Sequence, residues 1–134
     1  MSYFGRMKIK QLNFNKNLTK NYLFEKNPYV AVATSGGPDS MALTFLLKKW
    51  TLLKNGKLIA LIVDHQLRIN SSSEAKYIKN YLKFNNIESK ILKIKKTDIK
   101  KRTMNEARIN RFNKILNYCF KENILSFVCC TSFR

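Results

Sequence analysis

Six consecutive residues, Ser35-Gly36-Gly37-Pro38-Asp39-Ser40, combine the groups that an anion-binding loop needs. Gly36 and Gly37 permit positive φ and let backbone N–H groups approach an anion closely. Ser35 and Ser40 add hydroxyl donors. A helix starting here aims its N-terminal N–H groups and partial positive charge at the same point. No lysine follows the glycines, so this is not the common mononucleotide loop that ends in Gly-Lys-Ser/Thr. Asp39 is instead an acid beside a phosphate site. It repels phosphate unless a cation bridges the two, and Mg²⁺ is the natural bridge. The plainer alternative is a Gly-rich turn in which Asp39 or Ser40 only caps a helix. The flanking segments, an apolar strand before and an apolar helix after, favour the phosphate site.

Two further groupings carry chemistry. Asp64 and His65 follow a second apolar run, at the carboxyl end of a strand, which is where open α/β sheets bind ligands. Arg108 and Arg111 lie three apart, hence on one helical face. They can clamp a phosphate or an RNA backbone, a task that suits Arg better than Lys. The bland alternatives are a structural histidine and an ordinary solvated face paired with Glu106.

The elements that must position these residues alternate. Tyr29 to Ala33 and Leu58 to Val63 are continuous apolar runs, the mark of parallel strands covered on both faces. Between them Asp39 to Trp50 has helical spacing, with Ala42, Phe45, Leu46 and Trp50 on one face. Ser71-Ser72-Ser73-Glu74 is a capping box opening a helix to about Asn85, with Ala75, Ile78 and Leu82 inward. Asn85-Asn86 makes a turn into a weaker strand, Glu88 to Ile94. Thr103 to Glu106 is a second capping box. It opens a helix to about Glu122, with Phe112, Ile115, Leu116 and Cys119 inward, and Ile124 to Val128 starts a fourth strand. The pattern predicts a doubly wound α/β fold with a mainly parallel sheet. Residues 1–27 form a basic segment, with Phe14, Leu18 and Tyr22 spaced for a short helix. Residues 28–134 form the nucleotide-binding domain.

The 134 residues suit one domain with a modest core, and 45% apolar content argues against disorder. No apolar run approaches the roughly 20 residues of a membrane span, and no export leader begins the chain. Both point to a cytoplasmic location without membrane association. A net charge of +18 suggests a polyanionic partner such as nucleic acid. Lys supplies 20 of the 26 basic residues, a bias that an AT-rich genome also writes. Cys119, Cys129 and Cys130 make no CxxC and no zinc-ligand spacing.

The loop resembles that of the N-type ATP pyrophosphatases, Ser-Gly-Gly-x-Asp-Ser, which cleave ATP between its α and β phosphates. Within them the closer likeness is to the tRNA(Ile)-lysidine synthase family. Ser35 to Leu43 is similar to that family's loop and first helix. Val63-Asp64-His65-Gln66-Leu67-Arg68 resembles its Val-Asp-His-Gly-Leu-Arg, and Asn105 to Phe112 resembles its Glu-Ala-Arg-x-x-Arg-Tyr. The three motifs come in order over Val30 to Phe120.

The resemblance implies an adenine nucleotide α-hydrolase-like, Rossmann-like fold and a two-step ligation. ATP adenylates the wobble cytidine of tRNA(Ile) with a CAU anticodon, releasing pyrophosphate, and free L-lysine then displaces AMP. Ser35, Gly36, Gly37, Pro38, Asp39, Ser40, Asp64 and His65 would bind the nucleotide, with Asp39 also on Mg²⁺. Asp39, Arg108 and Arg111 would serve the chemistry. A tRNA 2-thiocytidine synthase is the rival enzyme, but its CxxC cysteines are absent. A non-catalytic nucleotide- or RNA-binding module is the rival of another class.

The likeness ends at the fourth strand. The family continues there into Ala-His-His-x-Asp-Asp, whereas this chain has no carboxylate after Glu122. With suitable synonymous codons, Phe127 to Arg134 plus a TGA stop, taken one base later, encodes Leu-Phe-Ala-Ala-His-His-Phe-Asp-Asp. The expectation is a single-base frameshift before Phe127, an N-terminal fragment, and weak or absent activity from the short chain. The coding DNA tests it: incompatible codons would sink the idea.

Overall fold

A computed structural model of the chain describes residues 3–64, 69–95 and 104–129. Four helices and four strands alternate: α1 (Tyr3–Asn21), β1 (Tyr29–Ala33), α2 (Pro38–Leu53), β2 (Lys57–Asp64), α3 (Ser71–Phe84), β3 (Glu88–Lys93), α4 (Met104–Lys121) and β4 (Ser126–Val128). All strand pairs are parallel and their order is β3-β2-β1-β4. The doubly wound α/β fold expected from the alternation is therefore the fold found.

The order follows from handedness. Parallel crossovers are right-handed, so β1-α2-β2 and β2-α3-β3 step the same way and leave both helices on one face. The return from β3 to β4 steps the other way and puts α4 on the opposite face. The cores agree with this. Val30, Val32, Leu58, Ala60 and Ile62 pack against Leu47 and Trp50 of α2, Ala75 and Leu82 of α3, and Leu18 of α1. The alternate residues Ala31, Ile59 and Leu61 pack against Ile115 and Cys119 of α4. Strand order reverses between β1 and β4, and that switch point is where such sheets open a crevice.

Each sheet-forming helix ends in the same device. Asn55, Asn86 and Asn123 have φ of 54°, 59° and 56°. The following N–H groups reach back to close the helix: Gly56 to the Thr51 carbonyl, Ile87 to Leu82 and Ile124 to Cys119, each at 2.8 Å. These are left-handed C-caps with the six-to-one bond of the Schellman motif. Asn tolerates this backbone because its short polar side chain eases the left-handed region. At α3 and α4 the capping pairs, Ile87 with Leu82 and Ile124 with Cys119, are also core neighbours.

Several helix faces differ from the periodic expectation. In α2 the buried line is Ser40, Thr44, Leu47, Trp50 and Thr51, while Ala42 is exposed and Leu46 half-buried. Ser40 and Thr44 face inward because they bond to Ser35 and Thr34, just past the end of β1, whereas Thr51 donates back to the Lys48 carbonyl. On α4 Leu116 is 52% exposed, since only one helix covers that face and its outer flank meets no neighbour among the described residues. The leading helix is longer than its spacing suggested, 19 residues, with Phe14 and Leu18 on the core and Tyr22 in solvent. Ser71 to Glu74 does not form the expected capping box: the N-cap of α3 is Asn70, without a side-chain capping bond. Thr103 lies outside the described residues.

Candidate phosphate-binding site

The hexapeptide leaves the carboxyl end of β1 and turns directly into α2. Pro38 occupies the first helical turn and Gly37 is the N-cap, an arrangement that costs nothing because the missing Pro N–H has no helical acceptor. The first helical bond runs from Met41 N to the Gly37 carbonyl at 3.0 Å. The N–H groups of Asp39 and Ser40 precede it and so have no acceptor within the helix. They are the donors an anion would meet there.

Two hydroxyl systems hold the loop. Ser40 accepts from the Ser35 N–H at 3.1 Å and donates to the Gly37 carbonyl at 3.1 Å. With its proton so committed, the Ser35 hydroxyl must donate to Ser40 across their 3.0 Å contact. The Gly37 N–H in turn donates to Ser35 Oγ at 3.4 Å. Beneath this, Thr44 donates to the Ser40 carbonyl at 2.7 Å, so Thr34 must donate to Thr44 across 3.0 Å. Thr34 extends β1 by one bond, its N–H reaching the Leu61 carbonyl at 3.0 Å. Thr34 and Thr44 are nearly inaccessible, and together they lock the start of α2 to the end of β1. Sequence reasoning missed both. The four-residue spacing from Ser40 to Thr44 was the available signal.

Gly36 has φ of +86°, and a Cβ there would lie 2.7 Å from Ile78 Cδ1 of α3. The backbone conformation therefore calls for glycine, and a Cβ would in addition make the Ile78 side chain move. Asp39 is exposed in the first turn of α2. The loop fits a phosphate: donors at a helix N-terminus, a left-handed glycine, and a carboxylate able to take a bridging cation.

β2 runs past the end of β1, since Ala33 pairs with Leu61 while Asp64 pairs with Lys93 of β3. Asp64 is thereby raised to the level of the loop, on the face that carries α2 and α3. It is 3% exposed, and its Oδ2 accepts from the Ser72 hydroxyl at 3.0 Å. Ser72 therefore braces a buried carboxylate, a role its local pattern does not reveal. His65 lies outside the described residues.

Arg108 and Arg111 sit in the first half of α4, which starts from the same edge of the sheet but covers the other face. Arg108 is exposed. Arg111 is half-buried, its guanidinium carbon 5.9 Å from the centroid of the Phe112 ring. Phe112 meets Phe127 of β4 edge-on at 6.3 Å. The topology brings loop, Asp64 and arginines to one edge, the first two on one side of the sheet and the arginines on the other. Cys119 is buried in the α4 face, where desolvation pushes its thiol above the ordinary value. Cys129 is half-buried just beyond β4, and Cys130 lies outside the described residues. Among the described residues no group of three or more His, Cys, Asp or Glu could hold a metal ion. No helix among them is long and apolar enough to cross a membrane.

Known proteins are similar to this chain in sequence or in fold. The tRNA(Ile)-lysidine synthase of Orientia tsutsugamushi (strain Boryong) is 34% identical over 118 residues, covering 88% of this chain and 27% of that protein. That of Wolbachia pipientis wMel is 37% identical over 113 residues, covering 81% and 26%. That of Rickettsia akari (strain Hartford) is 33% identical over 115 residues, covering 86% and 26%. The chain spans about a quarter of the length of these relatives. Among solved structures, the U34-tRNA thiolase NcsA from Methanococcus maripaludis with its [4Fe-4S] cluster superposes with a TM-score of 0.75. It is 19% identical, with 93% of this chain and 46% of that one covered, a likeness of fold alone. A family model described as the PP-loop domain matches residues 7–132, taking in the loop, Asp64 and the α4 arginines. The chain belongs to the PP-loop domain family.

Proposed function

We infer that this chain contributes the ATP-binding half of a tRNA(Ile)-lysidine synthase, a carbon–nitrogen ligase. In this reading ATP adenylates the wobble cytidine of a CAU anticodon, and free L-lysine then displaces AMP. The observation that carries it is the braced loop at the sheet's switch point, with Gly36 in a backbone only glycine takes easily and the α2 N-terminus behind it. The names of the sequence relatives supply the tRNA and the lysine.

Each residue then has a task. The Asp39 and Ser40 N–H groups and the loop glycines receive the leaving phosphates. Asp39 would hold Mg²⁺, which would neutralise charge on the departing pyrophosphate. Asp64, kept in place by Ser72, borders the nucleotide together with His65. Arg108 and Arg111 reach the α-phosphate or the tRNA backbone from the α4 side. The chain covers a quarter of its relatives, so ligation by it alone is expected to be weak or absent.

The test is pyrophosphate release from ATP in the presence of tRNA(Ile) and lysine, for this chain and for a frame-restored version. Release by the restored protein with little from the short chain supports the reading. Full activity in the short chain refutes the half-site view. Activity in neither, with ATP still bound, favours a non-catalytic module. Transfer of sulfur to the same tRNA in place of lysine would favour the thiolase-type rival.

A further inference from the structure

Helix α3 presents to solvent a stripe that its packing does not explain. Its inner face is Ala75, Ile78 and Leu82. Tyr77, Tyr81 and Phe84, spaced i, i+4 and i+7, share the outer face, and they are 72%, 45% and 87% exposed. One exposed aromatic is ordinary, but three in line on one helix form a surface. Phe45 of α2 meets the Tyr81 ring edge-on at 6.3 Å and steadies it. Lys76 and Lys83, seven apart and exposed, flank the stripe on one side. Glu74 is the only acid of the helix.

We propose that this face of α3 is a stacking platform for unpaired bases of an RNA strand whose phosphates run along Lys76 and Lys83. Aromatic rings take any base by its face, and lysines beside them hold the backbone. A protein partner fits less well, because protein interfaces are depleted in lysine. Along the helix axis the rings are separated by roughly 6 and 4.5 Å. Both steps exceed the roughly 3.4 Å rise of a stacked duplex strand, which suits splayed bases. Ser72, in the first turn of the helix, is bonded to Asp64, so the platform starts only about 8 Å along the axis from the edge that carries the phosphate loop. An RNA lying on it would have its neighbouring nucleotide at that edge. The proposal rests on the reading of the substrate as an RNA and gives that RNA a surface.

The experiment is fluorescence anisotropy with an end-labelled, unstructured oligoribonucleotide and with the same strand annealed to its complement. The proteins are the parent chain, Tyr77→Ala/Phe84→Ala, Tyr77→Trp/Phe84→Trp and Lys76→Glu/Lys83→Glu. Tyr77 and Phe84 are exposed, so the variants are expected to melt as the parent does. The alanine pair should bind the single strand about tenfold more weakly or worse, with the slope of log K against log salt unchanged. The tryptophan pair should keep the parent's affinity, and the lysine reversal should flatten the salt slope. Undiminished binding by the alanine pair overturns the platform, as does equal loss for duplex and single strand, or a parent that binds no RNA. ATP binding by the same four proteins, measured by calorimetry, separates the two readings. Its presence with a silent alanine pair sinks the platform alone, and its absence sinks the nucleotide reading whatever α3 does.

Discussion

At the scale of single residues the loop depends on two kinds of constraint, backbone conformation and hydroxyl bonding. Gly36→Ala meets both a disfavoured φ, worth about 1–2 kcal/mol, and a Cβ 2.7 Å from Ile78 Cδ1. It is expected to lower the melting temperature by several degrees and to weaken ATP binding at least tenfold in calorimetry. Adding Ile78→Ala relieves the contact but not the backbone, so only part of the loss should return; full recovery would show that φ is immaterial. The hydroxyl chain makes a different prediction. Thr44→Val leaves the buried Thr34 hydroxyl without its partner, while the Ser40 carbonyl keeps its helical bond from the residue 44 N–H, at a cost of about 1–3 kcal/mol. The double change Thr34→Val/Thr44→Val removes donor and acceptor together and should cost less than the sum of the single changes. Additive losses in urea unfolding would mean that the pair does not interact.

At the scale of elements, the recurring asparagine C-caps decide where each helix stops and each strand begins. Asn86 adopts φ of 59° between α3 and β3. Asn86→Ala is expected to destabilise the chain by about 1 kcal/mol, whereas Asn86→Gly should be neutral or slightly stabilising. Equal melting of the two variants would remove the C-cap as an explanation. The turn at Asn85-Asn86 was legible in the sequence because Asn is a known left-handed residue. The serine run of α3 was legible only in part. Ser-x-x-Glu signals a helix start, and α3 does start there, but Ser72 bonds to Asp64, a residue on another element that no local pattern can identify. The inward face of α2 was misjudged for a related reason. Apolar periodicity favours Ala42, while Ser40 and Thr44 turn inward because Ser35 and Thr34, just beyond β1, offer them hydrogen-bond partners.

At the scale of the whole molecule, the two faces of the sheet are unequally covered. Among the described residues three helices pack on one face and α4 on the other, where Leu116, Phe120 and Leu125 are exposed. Poor solubility is therefore expected, and replacing Leu116 and Phe120 with polar residues should raise the soluble fraction in centrifugation. The α4 face also holds three groups that bind their protons more tightly when folded. Burial pushes up Cys119, and burial together with Glu88 and Glu122 pushes up Tyr29. Burial and then Glu122 do the same for Tyr118. A raised folded pKa gives stability that is complete below the unfolded value and is lost as pH climbs through the folded one. The ordinary values are 9.0 for the thiol and 10.0 for the phenols. Melting temperature should thus be insensitive to these groups at neutral pH and fall above about pH 9, with Tyr118→Phe softening the fall. A stability that rises with pH in that range would contradict it. What the sequence determined by itself was local: apolar runs of strand and helix period, a Gly-Gly loop between them, and asparagines where the backbone turns left-handed. Those patterns sufficed for the fold class and for the loop, because each is written within a few residues. Only the tertiary structure decided that Thr34 and Thr44 brace the loop, that Ser72 braces Asp64, and that the helix carrying the arginines covers the opposite face. Those outcomes depend on strand order and crossover hand, which bring together residues that no sequence window contains.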